Sequence, residues 1–200
     1  MNNHYLEAVD SRRTYYSIGS GSPIPDERIL EVVGDMVLHV PSAFNSQSAR
    51  TVVLLGRDHA KLWDITRETL RAIVPAAAFA KTEEKLASFA AGHGTILYFD
   101  DTAVTNALME QFAAYRDNFP VWAQQANGML QHAVWTALEQ EGLGASLQHY
   151  NPLIDAAVKA AWDLPASWQL IAEMPFGVPT GAPGEKETQP LAERMRVFGR

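Results

Sequence analysis

The strongest constraint on the fold is a long helical pattern that runs from about Pro120 to Gln140. Apolar residues recur along it at helical spacing and form a wide face, namely Trp122, Ala126, Met129, Leu130, Ala133, Val134, Ala137 and Leu138. A helix with so wide an apolar face must be covered by other elements over much of its surface. We therefore predict that it is the central helix of the fold.

The other predicted elements are shorter. Three runs rich in β-branched or aromatic residues predict strands at 51–55, 95–99 and 168–174. Further helices are predicted at the N-terminus, where Tyr5, Leu6 and Val9 would point inward, from Pro25 to Val40, from Asp58 to Pro75, from Thr82, and from Asn151 to Trp162. Helices and few strands in this mixed order indicate an α+β fold rather than a doubly wound parallel sheet.

Composition limits the size of the core and the choice of partners. The chain has 200 residues, 47% of them hydrophobic, and no domain-sized linker, so we predict a single domain over residues 1–200. Its net charge of −7 disfavours nucleic acid and anionic membranes as partners. The absence of cysteine excludes disulfides and thiolate chemistry, so any redox chemistry must come from a cofactor. The N-terminus does not resemble a signal peptide and no apolar run reaches about 18 residues, which predicts a cytoplasmic protein.

Several patterns that could carry chemistry favour structural explanations. Gly19 and Gly21 lack the preceding strand and the lysine-serine pair of a phosphate-binding loop. The six histidines form no HExxH motif and no close pair on one helix face, so we predict no metal site. Asp100 and Asp101 follow a strand where N-capping of a helix accounts for them. The serines lack a GxSxG pattern, which gives a serine hydrolase little support.

A polar loop, "PSAFNSQSAR", lies between the predicted helix ending near Val40 and the strand beginning near Thr51. Its Ser42, Asn45 and Gln47 could simply cap and turn the chain, because serine and asparagine favour such turns. They could also border a ligand with many hydrogen-bonding atoms. The loop alone leaves both interpretations open.

An arginine pair, Arg12 and Arg13, follows the predicted N-terminal helix. The pair could be solvated and satisfy the last carbonyls of that helix. Alternatively, guanidinium groups suit bidentate binding of a phosphate, and Lys186 in the tail could add a further positive charge. The tail also contains Leu191 and Phe198, apolar residues of a kind that usually docks on another surface.

Taken in order, these segments resemble the nitroreductase family of FMN-dependent oxidoreductases. "SRRTYYSIG" is similar to the motif that contacts the FMN phosphate, and "PSAFNSQSAR" to the loop that borders the flavin ring and ribityl chain. "EGLGASLQHYNP" resembles the segment that passes over the ring near N5, and "GEKETQPLAERMRVF" resembles the basic tail. The cofactor-binding residues that the resemblance implies are Arg12, Arg13, Thr14, Ser42, Asn45, Gln47, Gln148, His149, Lys186 and Arg194.

The resemblance implies a nitroreductase-like fold, with a mostly antiparallel central sheet flanked by helices, in an intertwined homodimer. It also implies that FMN takes a hydride from NADH or NADPH and passes electrons to a nitroaromatic, a quinone or a similar electrophile in a ping-pong order. It implies no side chain as an obligatory acid or base. The short length and several motifs are most similar to a small bacterial subgroup typified by copper- and stress-induced nitroreductases. Two departures are Ser48, where the family usually has proline, and Tyr16, where many members have a basic residue.

Two other functions stay open on the sequence. One is a flavin-binding or regulatory module without efficient turnover, and the other is a cofactor-free interaction protein. Reduction of a bound flavin by NAD(P)H would distinguish an enzyme from a flavin-binding module. Uptake of FMN would distinguish it from a cofactor-free interaction protein. Aromatic residues that could shape the substrate side, or merely pack in the core, are Phe44, Tyr115, Phe119 and Trp122.

Overall fold

A five-stranded antiparallel sheet forms the centre of the structure, a computed structural model that describes residues 3–199. Its strands are β1 (Ile18–Gly19), β2 (Ala49–Leu55), β3 (Gly94–Asp101), β4 (Gly144–Ala145) and β5 (Trp168–Pro179). The strand order is β1-β5-β3-β2, and β4 also pairs with β5. One parallel bridge, between Thr14 and Ala145, accompanies these antiparallel pairs. The predicted α+β fold with a mostly antiparallel sheet is confirmed.

Helices cover both faces of this sheet. They are α1 (His4–Ser11), α2 (Asp26–His39), α3 (Gly56–Arg71), α4 (Ala76–Ala90), α5 (Thr102–Gln111), α6 (Phe119–Gln140), α7 (Asp155–Ala161) and α8 (Leu191–Arg194). Two short 3-10 segments, Ala43–Asn45 and Ala113–Asn118, precede β2 and α6. None of the helices in residues 3–199 is long and apolar enough to cross a membrane.

Alternate side chains of the central strands build two separate cores. In β3, Ile96 and Tyr98 pack with α2 and α6, whereas Leu97 and Phe99 pack with α3, α4 and α7. All four side chains are 0% exposed. Because both faces of the sheet are covered, β3 is an almost continuous apolar run, which is why the sequence pattern identified it as a buried strand.

The predicted central helix is confirmed as α6. It begins at Phe119, and its Leu130, Val134 and Leu138 are buried against the sheet. Of the two predicted capping residues, Asp101 is confirmed, because its side chain accepts a hydrogen bond from the Ala103 N–H at the start of α5 (3.2 Å). Asp100 is not a cap and accepts from the Thr105 hydroxyl instead (3.0 Å). Both the helix α6 and the Asp101 cap were predicted from residues close together in the sequence, namely from apolar spacing and from a capping residue before a helix.

The last strand is longer than predicted. The sequence predicted a strand over 168–174, but β5 continues to Pro179. Gly177 lies so close to β1 that a Cβ there would collide with the Gly19 carbonyl oxygen. The glycine therefore allows two strands to approach closely and does not end the strand.

The predicted starts of two helices are wrong. α4 begins at Ala76 rather than at Thr82, because a run of alanines continues the helix directly after a proline. α7 begins at Asp155 rather than at Asn151, because residues 150–155 first form two hydrogen-bonded turns. Local capping signals were therefore present at both places, but they did not decide where the helix began.

The N-terminal helix exposes the side that was predicted to point inward. In α1, Tyr5 is 69% exposed and Leu6 is 60% exposed, and Val9 is half-buried. α1 packs against the edge of α6, so its apolar side faces an open groove instead of a core. The tail resembles it, because Leu191 and Phe198 are 66% and 87% exposed. Within residues 3–199, the apolar residues at the two ends of the chain thus remain largely uncovered.

Candidate functional site

A cavity of about 310 Å³ lies beside the end of α1 and contains four of the predicted site residues. It is lined by Arg12, Arg13, Thr14, Tyr16, Gly184, Glu185 and Lys186. The segment after α1 is fixed to the edge of the sheet by the Thr14–Ala145 bridge, in which the Tyr15 N–H donates to the Ala145 carbonyl (2.9 Å). The Arg13 side chain donates to the carbonyl of Gly184. Two segments that are far apart in the sequence thereby meet in one cationic cavity.

The Arg12 guanidinium is held in place but is not fully paired. It lies 4.3 Å from the centre of the Trp135 ring, which stabilises the cation. Its Nη1 is buried and has no hydrogen-bond partner among residues 3–199. The interpretation that the arginines satisfy the end of α1 gains no support here, since the Ser11 hydroxyl and the Arg12 backbone N–H donate to the Ala8 carbonyl instead. A buried charged donor without a partner suits an incoming anion.

Glu139 of α6 fixes the backbone next to this cavity. Its Oε2 accepts a hydrogen bond from the Arg13 N–H at 2.7 Å. Burial raises the pKa of Glu139, and the Arg13 N–H and the charges of Arg12 and Arg13 oppose that rise. The carboxylate thus holds the backbone of the arginine pair. It does not pair with the guanidinium of Arg12, which stacks on Trp135.

The polar loop forms a second cavity, of about 320 Å³, on another part of the surface. Ser42, Asn45 and Gln47 line it together with apolar residues of α2 and α6. Asn45 and Gln47 have φ angles of 50° and 49°, and the neighbouring Phe44 has 55°. Three non-glycine residues in this left-handed region are unusual, and such backbone strain tends to occur at functional sites.

Hydrogen bonds within the loop hold this backbone. The Ser42 hydroxyl accepts from the Gln47 N–H (2.9 Å), and the Ser42 carbonyl accepts from the Asn45 N–H (3.0 Å). Ser42 therefore does what the turn interpretation expected. The Asn45 and Gln47 side chains remain exposed, each with an amide that offers both donor and acceptor.

Arg50 is a residue of this site that the sequence interpretation missed. It lines the same cavity, donates to the Gln47 carbonyl (2.6 Å) and forms an ion pair with Asp101 (3.0 Å). Arg50 thus ties the end of the polar loop to the β2–β3 ladder.

The remaining predicted site residues lie outside these two cavities. Gln148 is buried beside β5, and its Nε2 donates to the Ser146 hydroxyl (3.1 Å), whereas the adjacent His149 is exposed. Arg194 is exposed in α8 and does not line the cationic cavity. The structure of one chain therefore forms two local groups and does not bring all ten predicted residues to one place. No cluster of histidine and carboxylate side chains suited to a metal ion occurs in residues 3–199.

Two apolar features adjoin the polar loop. Phe44 stands at the centre of an aromatic cluster, with the rings of Phe112, Tyr115, Phe119 and Trp122 centred 4.9, 5.8, 5.3 and 5.7 Å from its own. A groove of about 710 Å³ begins at Val40 and Pro41, which it shares with the loop cavity, and runs between α1, α2 and α6. The surroundings of the loop can therefore receive a flat, largely apolar molecule on one side and a protein surface on the other.

Comparison with known proteins gives consistent matches over most of the chain. Residues 9–178 match the model of the nitroreductase family. Nitroreductase FRM2 of Saccharomyces cerevisiae is 35% identical over 185 residues, which is 92% of each chain.

Solved structures agree with these matches. Nitroreductase CinD from Lactococcus lactis, in complex with chloramphenicol, is 43% identical with a TM-score of 0.90, and the match covers 98% of this chain and 100% of that one. CinD has also been solved with 4-nitrophenol and with nicotinic acid. A Desulfovibrio desulfuricans protein in complex with FMN is 22% identical and shares the fold with a TM-score of 0.71, over 100% of this chain and 99% of its own. The predicted nitroreductase-like fold is confirmed.

Proposed function

Because the chain belongs to the nitroreductase family, we propose that it is an FMN-dependent oxidoreductase that uses NAD(P)H to reduce nitroaromatics, quinones or similar electrophiles. FMN, when bound, supplies the exchange of electrons between two substrates that occupy one pocket in turn, which is a ping-pong order. The chain's own residues bind, orient and enclose these molecules. We propose no side chain as an obligatory acid or base.

The state of Arg12 carries this proposal. A guanidinium that is stacked on Trp135 and keeps a buried, unpaired Nη1 within residues 3–199 is a donor that lacks its acceptor. Leaving such a group unpaired costs about 1–3 kcal/mol, which a phosphate oxygen would remove. Arg13 and Lys186 line the same cavity and add two positive charges. We assign these three residues, together with Thr14, to the phosphate of FMN.

The polar loop is assigned to the flavin ring. The edge of an isoalloxazine ring carries several acceptors and one N–H, and the exposed amides of Asn45 and Gln47 offer both kinds of partner. Ser42 and Arg50 hold the loop in its strained conformation, so the amides are ordered before a ligand arrives. Such preorganisation lowers the entropic cost of binding.

Three further residues complete the proposed flavin site. Gln148 and His149 are assigned to the segment that passes the ring, where Gln148 is fixed by its pairing with β5. Arg194 is assigned to the phosphate as a residue brought by the tail. Their assignments rest on the family motif and not on a shared cavity.

The acceptor is proposed to be a nitroaromatic or a molecule of similar shape. CinD has been solved with chloramphenicol and with 4-nitrophenol, both of which carry a nitro group on an aromatic ring, and with nicotinic acid. In this chain the aromatic cluster around Phe44 adjoins the loop assigned to the ring. Its half-exposed members, Phe44 and Tyr115, offer faces on which a flat acceptor can stack.

We further propose that the protein is a homodimer with the flavin at the interface. In one chain, the cationic cavity and the polar loop are separate, and the apolar groove between α1, α2 and α6 is open. A second copy would cover that groove, and its tail could bring Leu191 and Phe198 out of water. The cytoplasmic location, the single-domain organisation and the use of NADH or NADPH stay predictions from the sequence.

The direct test is an absorbance spectrum of the purified protein, supplied with FMN if it is colourless, before and after anaerobic addition of NADH or NADPH. We expect flavin bands that bleach with the nicotinamide and return when a quinone or 4-nitrophenol is added. A bound flavin that neither nicotinamide reduces would indicate a binding module. Failure to take up any FMN would overturn the proposal.

Replacing Arg12 tests the phosphate assignment. Arg12→Met keeps an apolar stem against Trp135 but removes the charged donor, so we expect FMN to bind about 10–100-fold more weakly, since hydrogen bonds to charged groups contribute about 1.5–3 kcal/mol. Titration of flavin fluorescence measures this change. Arg57→Met is the matched control, because Arg57 has a 97% exposed side chain on α3 and should leave the affinity unchanged. Equal affinities for the two variants would contradict the assignment of Arg12.

A further inference from the structure

A fully buried carboxyl group lies in β5, next to the segment assigned to the flavin. Glu173 is 0% exposed, and its backbone pairs in both directions with Gln148, through Gln148 N–H to Glu173 O (2.7 Å) and Glu173 N–H to Gln148 O (2.9 Å). Leu97 of β3 lies opposite it on the other side. A glutamate among these apolar strands is not explained by packing, because burying an unpaired carboxylate is very unfavourable.

Only one of the two oxygens of the Glu173 carboxyl group has a hydrogen-bond partner within residues 3–199. Oε2 accepts a hydrogen bond from the Tyr150 N–H (3.0 Å), while Oε1 is buried and has no partner among residues 3–199. In the adjoining turn, Asn151 Oδ1 and Asp155 Oδ1 are likewise buried and unpaired within that part of the chain. Three acceptor oxygens on one turn and its supporting strand thus share a lack of donors, and a proton on Glu173 would supply one.

We propose that Glu173 is a positioning residue that works as a neutral acid. It accepts the Tyr150 N–H through one oxygen and donates from the other to one of the unpaired oxygens of the turn 150–155, which fixes segment 148–149. The role of that segment beside the flavin rests on the proposed function, whereas the buried proton does not. The site therefore contains a structural proton directly behind the segment that is assigned to the flavin ring.

The groups that face Glu173 favour its neutral form. Burial raises the pKa of Glu173, the Tyr150 N–H partly offsets that rise and the charge of Asp155 adds to it, and the net pKa is about 8. Titratable side chains near it include Asp155, whose own pKa burial raises, Tyr150, whose pKa burial and Glu173 raise to about 12, and His59 of α3, whose pKa burial lowers. No cation among residues 3–199 acts on the carboxyl group to stabilise its charge.

The sign of the pH dependence follows from these values. The folded protein holds the proton on Glu173 up to about pH 8, whereas an unfolded chain releases it near the ordinary value of 4.5. The contribution to stability is therefore complete below 4.5, declines as the pH rises, and is lost at about pH 8. The folding equilibrium constant changes by at most about tenfold per pH unit from this one group.

The experiment compares Glu173→Gln with the wild type, without FMN and in EDTA, by urea unfolding between pH 5 and 9. A glutamine keeps an acceptor for Tyr150 and donates from its amide, so it imitates the protonated acid at every pH. We expect the wild type to lose stability relative to the variant as the pH rises to about 8, and the difference to be constant above it. Glu173→Met lacks the acceptor and should be less stable than Glu173→Gln at pH 6. The difference in stability between these two variants should not change with pH.

Three outcomes would overturn the proposal. The first is a Glu173→Gln variant that follows the wild-type pH profile, and the second is a Glu173→Met variant as stable as Glu173→Gln at pH 6. The third is a wild type that Mg²⁺ or Ca²⁺ stabilises at pH 7 while Glu173→Gln does not respond, because the oxygens would then hold a cation.

The variant Asp155→Asn keeps Glu173 but removes a neighbouring negative charge. It should therefore move the pH at which the Glu173 contribution to stability is lost to a lower value than in the wild type. A protein that binds no FMN would refute the proposed function and leave these unfolding curves decisive.

Discussion

The two helical layers of this protein differ in what they present to the outside. The layer of α3 and α4 carries charged side chains outward, including the ion pairs Arg67–Asp64 and Arg71–Glu83 at 2.7 and 2.9 Å. The layer of α2 and α6 instead exposes large apolar side chains after its core is filled, with Leu38 at 77%, Val121 at 54% and Met129 at 46% exposure. A helix that meets water on one side needs only one apolar stripe. The second layer has more, which indicates a further protein surface.

The same difference applies to the candidate site. Seven of the ten residues assigned to FMN line the cationic cavity and the loop cavity, and the apolar groove between α1, α2 and α6 adjoins the loop cavity. Both layers have a filled core, with thirteen buried residues beneath α2 and α6 and twelve beneath α3 and α4, so they differ in their outer surfaces and not in their cores. We infer that the α3 and α4 layer serves stability within the chain, whereas the α1, α2 and α6 layer also serves assembly and much of the binding. Three predictions test this division, from the largest effect to the smallest.

The largest effect is expected in the core beneath the charged layer. Leu86 of α4 is 0% exposed, so Leu86→Ala should lower the free energy of unfolding by about 2–5 kcal/mol through lost burial and a residual cavity. Urea denaturation measures it. The control is Ile73→Ala, which lies beside the same layer at 57% exposure and should change stability by less than about 0.5 kcal/mol. A loss below 1 kcal/mol for Leu86→Ala would mean that this layer is not the rigid part of the protein.

The second effect concerns assembly. Met129 lines the apolar groove, so Met129→Glu should place an unpaired charge in the proposed interface and weaken the dimer at least about tenfold. Analytical ultracentrifugation over a range of concentrations measures the dissociation. Ile73→Glu, a comparable substitution beside the charged layer, should leave the oligomeric state unchanged. If both variants and the wild type sediment as monomers, the groove has another occupant.

Short-range patterns made much of the fold predictable. The strands and α6 were identified because burial on both faces gives continuous apolar runs, and wide helical faces give a 3.6-residue period. β1 and β4 were missed because two residues are too few to show any period. The inward side predicted for α1 was wrong because a helical pattern shows that Tyr5 and Leu6 share a face, but it does not show which surface, or which molecule, covers that face.

The candidate site was predictable where one segment carries it. Ser42, Asn45 and Gln47 stand together in the sequence and line one cavity, and the approach of Lys186 to Arg12 followed from the family motif. Trp135 and Arg50 were missed because their roles depend on contacts with Arg12 and Asp101 that the fold creates. Glu173 was missed although its signal was visible, as a lone carboxylate within "LIAEMPF". A charged residue inside an apolar strand has to be explained by its partners.

The smallest effect is expected from His59, on the layer assigned to stability. Its Nε2 contacts the Ala90 carbonyl (3.1 Å) and its Nδ1 contacts the Thr95 hydroxyl (2.9 Å), which also accepts from Trp63 Nε1. The carbonyl requires Nε2 to carry the proton, so neutral His59 accepts at Nδ1 from Thr95. A second proton would remove that acceptor inside the core.

Burial accordingly lowers the pKa of His59 below its ordinary 6.5, so the folded state binds fewer protons than the unfolded one under acidic conditions. Its contribution is complete above pH 6.5 and is lost as the pH falls through the lowered pKa. In urea unfolding from pH 7.5 to 5, His59→Gln should therefore lose less stability than the wild type, whereas His4→Gln, a change at an exposed site, should follow it. The variant has to be compared with the wild type, because Glu173 and Glu139 have raised pKa values and also change the free energy of unfolding in this range, stabilising the fold as the pH falls. If His59→Gln lost as much stability between pH 7.5 and 5 as the wild type, the core of this layer would tolerate a charged histidine. The layer could then not be assigned to stability on the ground that its core excludes charge and water.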